Sequence, residues 1–260
     1  MYIGKLEKEI YELREESPLI LPQLDPDKHN SESASEWFKT VQNAGISVIT
    51  IGGSTIDAFN TQEMLDVAIK DYGLSVIIYL SSNPSSIRGI KDKTAVYWGH
   101  VPGSSNTFYG WDGLIANALS IQKNQIEPIP TVYVFDDRQS TGTANWITRS
   151  NPIPREKPGI SLAIAKAAEY LGVRFYIMAG GSGSLQSPPL EHVSLLTKKT
   201  NLFVIPTSGI NTPEQASEIF SAGGDAIHIG SILEKSKDKK ILNKFVELAR
   251  EFEGKEFYVK

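Results

Sequence analysis

The chain has no cysteine, and only three methionines and four histidines among its 260 residues. Lack of cysteine excludes disulfides, thiolate metal sites and a cysteine nucleophile, and makes a reducing compartment the default reading. No apolar run reaches the ~18 residues of a membrane span. The stretch 5–17 is dense in charge, unlike a secretory signal. A soluble, cytoplasmic protein is expected. Basic excess is missing too: 26 Lys and Arg stand against 30 Asp and Glu, a net charge of −4. Nucleic acid is therefore not an expected partner, since no basic stripe is present to neutralise phosphates. The two basic clusters, Lys198-Lys199 and 234–240, read as solvated helix ends. His29, His100, His192 and His228 show no zinc spacing, and neither a nucleophile elbow nor a Walker-type loop occurs.

What is present is a repeated alternation. Short apolar, β-branched runs occur at 19–21, 47–51, 74–80, 94–98, 131–135, 174–178, 202–205 and 225–229. Most are apolar throughout, as parallel strands covered on both faces are. Helical patterns lie between them at 31–44, 61–71, 111–122 and 158–171, and a final one sets Ile241, Leu242, Phe245, Leu248, Ala249 and Phe252 at helical spacing. Thr212-Pro-Glu-Gln215 is a capping box with proline at the first helical position. An extra helix, with Ile3, Leu6, Ile10 and Leu13 on one side, precedes the first strand. The 81–93 connection holds Pro84 and Gly89 and is too irregular for a helix. The expected fold is α/β: a modified (β/α)8 TIM barrel over 1–260 as one domain, with an N-terminal extra helix and an irregular third helix position. A doubly wound open sheet is the alternative.

In a barrel, function sits on the loops after the strands' C-terminal ends. After strand one comes Gln23-Leu-Asp-Pro-Asp-Lys28, whose carboxylates and ammonium suit a hard cation or an anion, or form a plain capped turn. After strand two comes Ile51-Gly-Gly-Ser-Thr55, small enough for close approach to a ligand. After strands six, seven and eight come Gly180-Gly-Ser-Gly-Ser184, Pro206-Thr-Ser-Gly-Ile-Asn211 and Gly230-Ser231. Glycine-freed N–H groups backed by hydroxyls are what a phosphate needs, so the three loops together predict a phosphate cradle. The polar stretch 136–157 reads as a lid or binding loop, and His228, inside the eighth run, as a packed barrel residue.

With these loops in order, the chain resembles the geranylgeranylglyceryl phosphate synthase family, prenyltransferases related to the bacterial heptaprenylglyceryl phosphate synthases. The resemblance rests on Leu24-Asp-Pro-Asp-Lys28, Ile51-Gly-Gly-Ser54, Asn151-Pro-Ile-Pro154, Tyr176-Ile-Met-Ala-Gly180 with its following Gly-Ser-Gly, Ile210, and Ala222-Gly-Gly-Asp225 with Gly230-Ser231. It implies an enzyme joining geranylgeranyl diphosphate to the C3 hydroxyl of sn-glycerol 1-phosphate, with release of diphosphate, the first ether-bond step of archaeal membrane lipid synthesis. It implies Mg²⁺ held at Asp25 and Ser54. By the same resemblance Tyr176, Gly180, Gly181, Ser182, Gly183, Ser208, Gly209, Gly230 and Ser231 hold glycerol phosphate. A homo-oligomer working at the periphery of the membrane is also implied.

Two departures stand out. Met178 replaces the family's glutamate, and Thr207-Ser-Gly-Ile210 replaces its Gly-Gly-Gly-Ile. The general base is therefore open among Tyr176, Asp27, Asp136 and a diphosphate oxygen. Another phosphate-binding barrel enzyme, an isomerase or synthase, and a catalytically degenerate phosphate-binding paralogue stay as alternatives. Trp98, Tyr109, Trp111 and Leu119 are candidates for the floor of a prenyl groove.

Overall fold

In the computed structural model, which describes residues 3–53, 58–79, 86–139, 142–236 and 240–254, the eight expected runs form one closed sheet. Strands β1 (Leu19–Leu24), β2 (Val48–Ile51), β3 (Ser75–Ile78), β4 (Thr94–His100), β5 (Glu127–Phe135), β6 (Phe175–Ala179), β7 (Phe203–Thr207) and β8 (Ala226–Ile229) pair in sequence order. Every pairing is parallel, and β8 closes on β1 through Leu19↔Ala226 to Pro22↔Ile229. The open-sheet alternative is thereby excluded.

Outside the barrel lie α2 (Ser31–Asn43), α3 (Ala58–Lys70), α4 (Trp111–Lys123), α6 (Pro158–Tyr170), α7 (Leu190–Lys199), α8 (Pro213–Ser221) and α10 (Ile241–Arg250). The capping box at α8 is formed, with Thr212 accepting from Gln215 N and the Gln215 side chain returning the bond. Helix α7, not singled out from the sequence, follows Pro188-Pro189 and buries His192, Val193 and Leu196. Strand β5 begins earlier than the apolar pattern suggests. Its prolines lack the ladder N–H but keep their carbonyls, and Pro130 O accepts from Arg174 N at 3.0 Å.

The third helix position is irregular, as expected. In the β3–β4 connection, the described residues 86–93 contain no α-helix. Ile87 is fully buried there, and Gln62 of α3 holds the backbone by exchanging two bonds with Arg88 (2.7 and 3.1 Å). Among the described residues, Ile87 and Ile90 of this connection join Ile78 and Val96 in the outer core.

Helix α1 (Lys5–Glu16) closes the N-terminal end of the barrel. Its Leu6 and Ile10 pack among Leu19, Leu21, Ile77, Phe175 and Phe203 inside the sheet. The Glu127 carboxylate caps the helix by accepting from Leu6 N and Glu7 N (2.9 and 2.8 Å). Buried Glu7 pairs with Arg174, and Arg14 pairs with Asp225 at 3.2 Å. One end of the barrel is sealed by side chains, so any ligand must enter from the other. Ile10→Ala should cost about 2–5 kcal/mol in denaturant melts, the range for opening a cavity in a packed core, while leaving ligand affinity at the far end unchanged.

Candidate functional site

A cleft of about 330 Å³ opens at the C-terminal end of the barrel. Period-two alternation decides what reaches it. In β6, Phe175, Ile177 and Ala179 face the interior, whereas Tyr176 and Met178 face outward among Val132, Val134, Ala165, Val193 and Leu196. Beyond the strand ends, Gly181, Ser182, Gly183, Ser208, Gly209, Gly230 and Ser231 all line the cleft, as does Asp25 on the loop after β1, which adjoins β8. The loops predicted to cradle a phosphate are therefore brought together on one side.

Their shape is set from below by Arg138, which has no exposed side-chain surface. Its guanidinium grips Asp136 through Nε at 2.6 Å and Nη2 at 2.7 Å. Nη1 donates to the carbonyls of Thr207 and Ser208 (2.7 and 2.6 Å), and Nη2 also reaches Met178 O at 3.3 Å. Three neighbouring strand ends are thus tied to one planar group, in the fork geometry that distinguishes arginine from lysine. Turning the Thr207 and Ser208 carbonyls inward forces a tight bend. Ser208 takes φ +67° and Gly209 φ +68°, the left-handed region. Gly209 is required twice over, because a Cβ there would also lie 2.1 Å from Gln186 O. On the neighbouring loop, Ser184 closes the turn by donating its hydroxyl to Gly181 O at 2.7 Å.

Several sequence-level candidates are placed elsewhere. Tyr176 is fully buried against α6 and α7, close to Ser161, with its phenol pushed well above its ordinary pKa by burial. Gly180 packs on Arg138, where a Cβ would meet Cδ at 2.3 Å, so its missing side chain serves the arginine. Asp136 is 1% exposed with both oxygens engaged by Arg138. Asp27 is exposed and lies outside the cleft lining. Ser54 lies outside the described residues. Of the groove candidates, Trp111 and Leu119 are 72% and 80% exposed, Trp98 packs on the outer core, and Tyr109 is buried beside the inner one.

The wall beside β1 and β8 is charged. Asp25 caps the short turn Pro26–Lys28, and its carboxylate sits where a Gly53 Cβ would approach to 2.4 Å. Lys28 bridges Asp25 and Glu234, 3.1 Å from an oxygen of each. Burial disfavours the Lys28 ammonium, but its bonds to Asp25 and Glu234 outweigh this and raise its pKa. Glu234 and Lys235 come from α9 (Ser231–Lys235), too short and polar to stand out in the sequence. Among the described residues no group of three or more His, Asp or Glu could cage a metal. Asp25, Glu234 and Lys28 together carry one net negative charge, held on oxygen, the donor type that hard cations take.

The floor is aromatic: Tyr79, Tyr133 and His228. Burial pushes the Tyr133 phenol up to about 12, and Tyr79 is raised further by burial and by Tyr133 beside it. His228 shares a 2.9 Å hydrogen bond with Tyr97 Oη, and burial lowers its pKa to about 3. The polar stretch 136–157 contributes a short helix, α5 (Thr143–Thr148), whose Ala144 borders the cleft.

The whole chain has recognisable relatives. Residues 11–248 match the PcrB family. The geranylgeranylglyceryl phosphate synthase of Pyrococcus furiosus is 33% identical over 238 residues, covering 91% of this chain and 92% of that one. That of Thermococcus kodakarensis is 33% identical over 255 residues, covering 97% and 99%. Among solved structures, the (S)-3-O-geranylgeranylglyceryl phosphate synthase of Thermoplasma acidophilum, in complex with substrate sn-glycerol-1-phosphate, superposes with a TM-score of 0.86. It is 26% identical, and the match covers 96% of this chain and 100% of that one.

Two outcomes are expected. Arg138→Lys keeps the charge but loses the fork, so loop carbonyls lose their donors; calorimetric affinity for inorganic phosphate, the group the loops are predicted to cradle, should fall at least about tenfold, one unpaired buried group being worth about 1–3 kcal/mol. His228 binds no proton in the folded chain until about pH 3, whereas the unfolded chain binds one near 6.5. The unfolded state therefore holds more protons below pH 6.5, and stability is lost as pH falls through that window. His228→Asn should make the acid limb of the stability profile shallower by up to about 1.4 kcal/mol per pH unit.

Proposed function

The chain belongs to the PcrB family, and from that membership together with the cleft we propose that it is a Mg²⁺-dependent phosphoglycerol geranylgeranyltransferase. In this reading the C3 hydroxyl of sn-glycerol 1-phosphate attacks C1 of geranylgeranyl diphosphate, and diphosphate leaves with the bonding electron pair. The observation that carries it is the convergence of three Gly/Ser loops with Asp25 on one cleft at the open end of the barrel.

The β6, β7 and β8 loops hold the glycerol phosphate through Gly181, Ser182, Gly183, Ser208, Gly209, Gly230 and Ser231. Fixing the phosphate at one end of a three-carbon chain fixes the hydroxyl at the other, and such positioning supplies much of the rate in a displacement of this kind. Asp25, together with Ser54, the residue that follows Gly53 in the next loop's sequence, would hold Mg²⁺, which would neutralise charge on the diphosphate. Lys28 and Lys235 add fixed positive charge to the same wall. Tyr79 and Tyr133 remain phenols at neutral pH and act as hydrogen-bond donors rather than bases.

No helix of the described residues is long and apolar enough to cross a membrane. A cytoplasmic enzyme working at the membrane surface on a lipid diphosphate fits this. On α4, Trp111, Ile115 and Leu119 recur every fourth residue with 72%, 68% and 80% exposure, a stripe suited to contact between copies in a homo-oligomer.

The test is transfer of radiolabelled sn-glycerol 1-phosphate to an organic-extractable product with geranylgeranyl diphosphate and Mg²⁺. Label is expected from the 1-phosphate and not from sn-glycerol 3-phosphate, and EDTA should abolish it. Asp25→Ala should lower kcat/KM by about 100-fold or more, the scale of losing a group that stabilises transition-state charge. Turnover that ignores both EDTA and Asp25→Ala would remove the metal from the mechanism.

A further inference from the structure

His228 is the residue of the cleft whose chemistry the reading above leaves unused. It stands in β8 with its ring in the barrel interior, 2% exposed, and forms part of the cleft floor. One ring nitrogen, Nε2, is held by Tyr97 Oη at 2.9 Å. Tyr97 packs deeper, among Ala95, Ile129 and Phe175, and does not border the cleft. The two nitrogens of an imidazole diverge widely, so a ring anchored below through Nε2 turns Nδ1 away from that anchor. Nδ1 is buried and has no hydrogen-bond partner among the described residues. A buried polar atom without a partner is uncommon, and at a ligand cleft it marks a place for a ligand atom.

The distances suit one atom in particular. His228 lies two residues below Gly230, ~6.6 Å of strand rise at about 3.3 Å per residue. That is the reach of a glycerol chain hanging from a phosphate in the Gly230-Ser231 loop. The side-chain alternatives are engaged or elsewhere: Asp25 and Glu234 share Lys28, Asp136 is gripped by Arg138, Asp27 lies outside the cleft lining, and Tyr176 lies outside the barrel.

We propose that His228 is the group that receives the attacking hydroxyl of the three-carbon phosphate substrate and takes its proton. The proposal rests on the prenyltransferase reading. In the tautomer used, Nε2–H donates to Tyr97 Oη and Nδ1 carries the lone pair. As the hydroxyl oxygen forms its bond to C1 of the prenyl diphosphate, the C1–O bond breaks and its electron pair leaves with the diphosphate. The hydroxyl proton passes to Nδ1, giving an imidazolium that later returns it to the departing diphosphate or to solvent. Burial keeps the imidazole neutral and its lone pair available until the substrates arrive. An alcohol oxygen that is becoming an ether oxonium is strongly acidic, so a weak base suffices. The anions bound above it favour the imidazolium once formed.

The experiment compares wild type with His228→Asn, which keeps a polar atom near the Nδ1 position but cannot take the proton, and with His228→Gln, which reaches toward Tyr97 instead. Wild-type turnover establishes the parent reading on its own. With that in hand, His228→Asn should keep its Kd for sn-glycerol 1-phosphate within about threefold while kcat falls about 100- to 10,000-fold. His228→Gln should lose kcat as well. In parallel, ¹⁵N-histidine spectra of the wild-type protein, assigned through substitutions of His29, His100 and His192, should show the His228 Nδ1 resonance shifting on saturation with sn-glycerol 1-phosphate. Both variants turning over within about threefold of wild type overturns the proposal. So does an Nδ1 resonance that does not move, which decides the matter even if the variants fail to fold or no prenyl diphosphate is turned over.

Discussion

The open end of this barrel is organised around one buried guanidinium. Arg138 uses every N–H it has on Asp136 and on the carbonyls of Thr207, Ser208 and Met178. Taking two charges out of water costs several kcal/mol per ion, which the mutual attraction repays only when geometry and further bonds are good. Here they are, and the arrangement spreads its consequences through three loops. Gly180 has no side chain because Arg138 fills that space, and the chain bends through left-handed backbone at Ser208 and Gly209, where the Thr207 and Ser208 carbonyls point to the guanidinium. The pair is neutral as a whole, so its contribution to anion binding is shape. In the proposed reading, attraction of a phosphate would fall to loop N–H groups and to Lys28 and Lys235.

The two ends of the barrel show the same device used for opposite purposes. Beneath the sheet, Glu7–Arg174 and Arg14–Asp225 fasten α1 as a plug over Leu6 and Ile10. Above it, Asp136–Arg138 ties strand ends together beside a cleft that stays open. Aromatic rings fill the space between: Tyr79 lies 5.8 Å from both Tyr97 and Tyr133, and 5.3 Å from His228. A rigid floor of this kind keeps the cleft geometry independent of the surface segments, since close-packed interiors do not deform continuously.

Much of this was legible in the sequence. Eight apolar runs, the capping box at Thr212 and the plug residues Leu6 and Ile10 follow from periodicity alone. So does the grouping of the Gly/Ser loops, because parallel strands put every strand end on one face. What periodicity two cannot say is which face is inside. Tyr176 and Met178 share a face by spacing, and only packing against Ala165, Val193 and Leu196 shows that it is the outer one. Arg138 was hidden in a polar stretch, and its partners lie 2, 40, 69 and 70 residues away. Lys28 and Glu234, 206 residues apart, meet only because β8 closes on β1. Long-range polar pairs of this sort carry no local signature.

The outward turn of β6 also changes the meaning of Met178. Read as a motif, it is a missing carboxylate at the heart of the chemistry. In the fold its side chain is fully buried among Val132, Val134, Tyr176 and Val204, where an ionised carboxylate would be expensive without a partner. The nearest guanidinium, Arg138, already spends its donors on Asp136 and on loop carbonyls, including that of Met178 itself. Methionine is therefore what this outer layer accommodates, and its presence removes nothing from the cleft. The proton-accepting function has to be sought on the inward side of the barrel, where Asp25 and Glu234 are tied to Lys28 and the tyrosines hold their protons. A neutral imidazole in β8, anchored on one nitrogen and unpartnered on the other, meets that requirement without any carboxylate in β6.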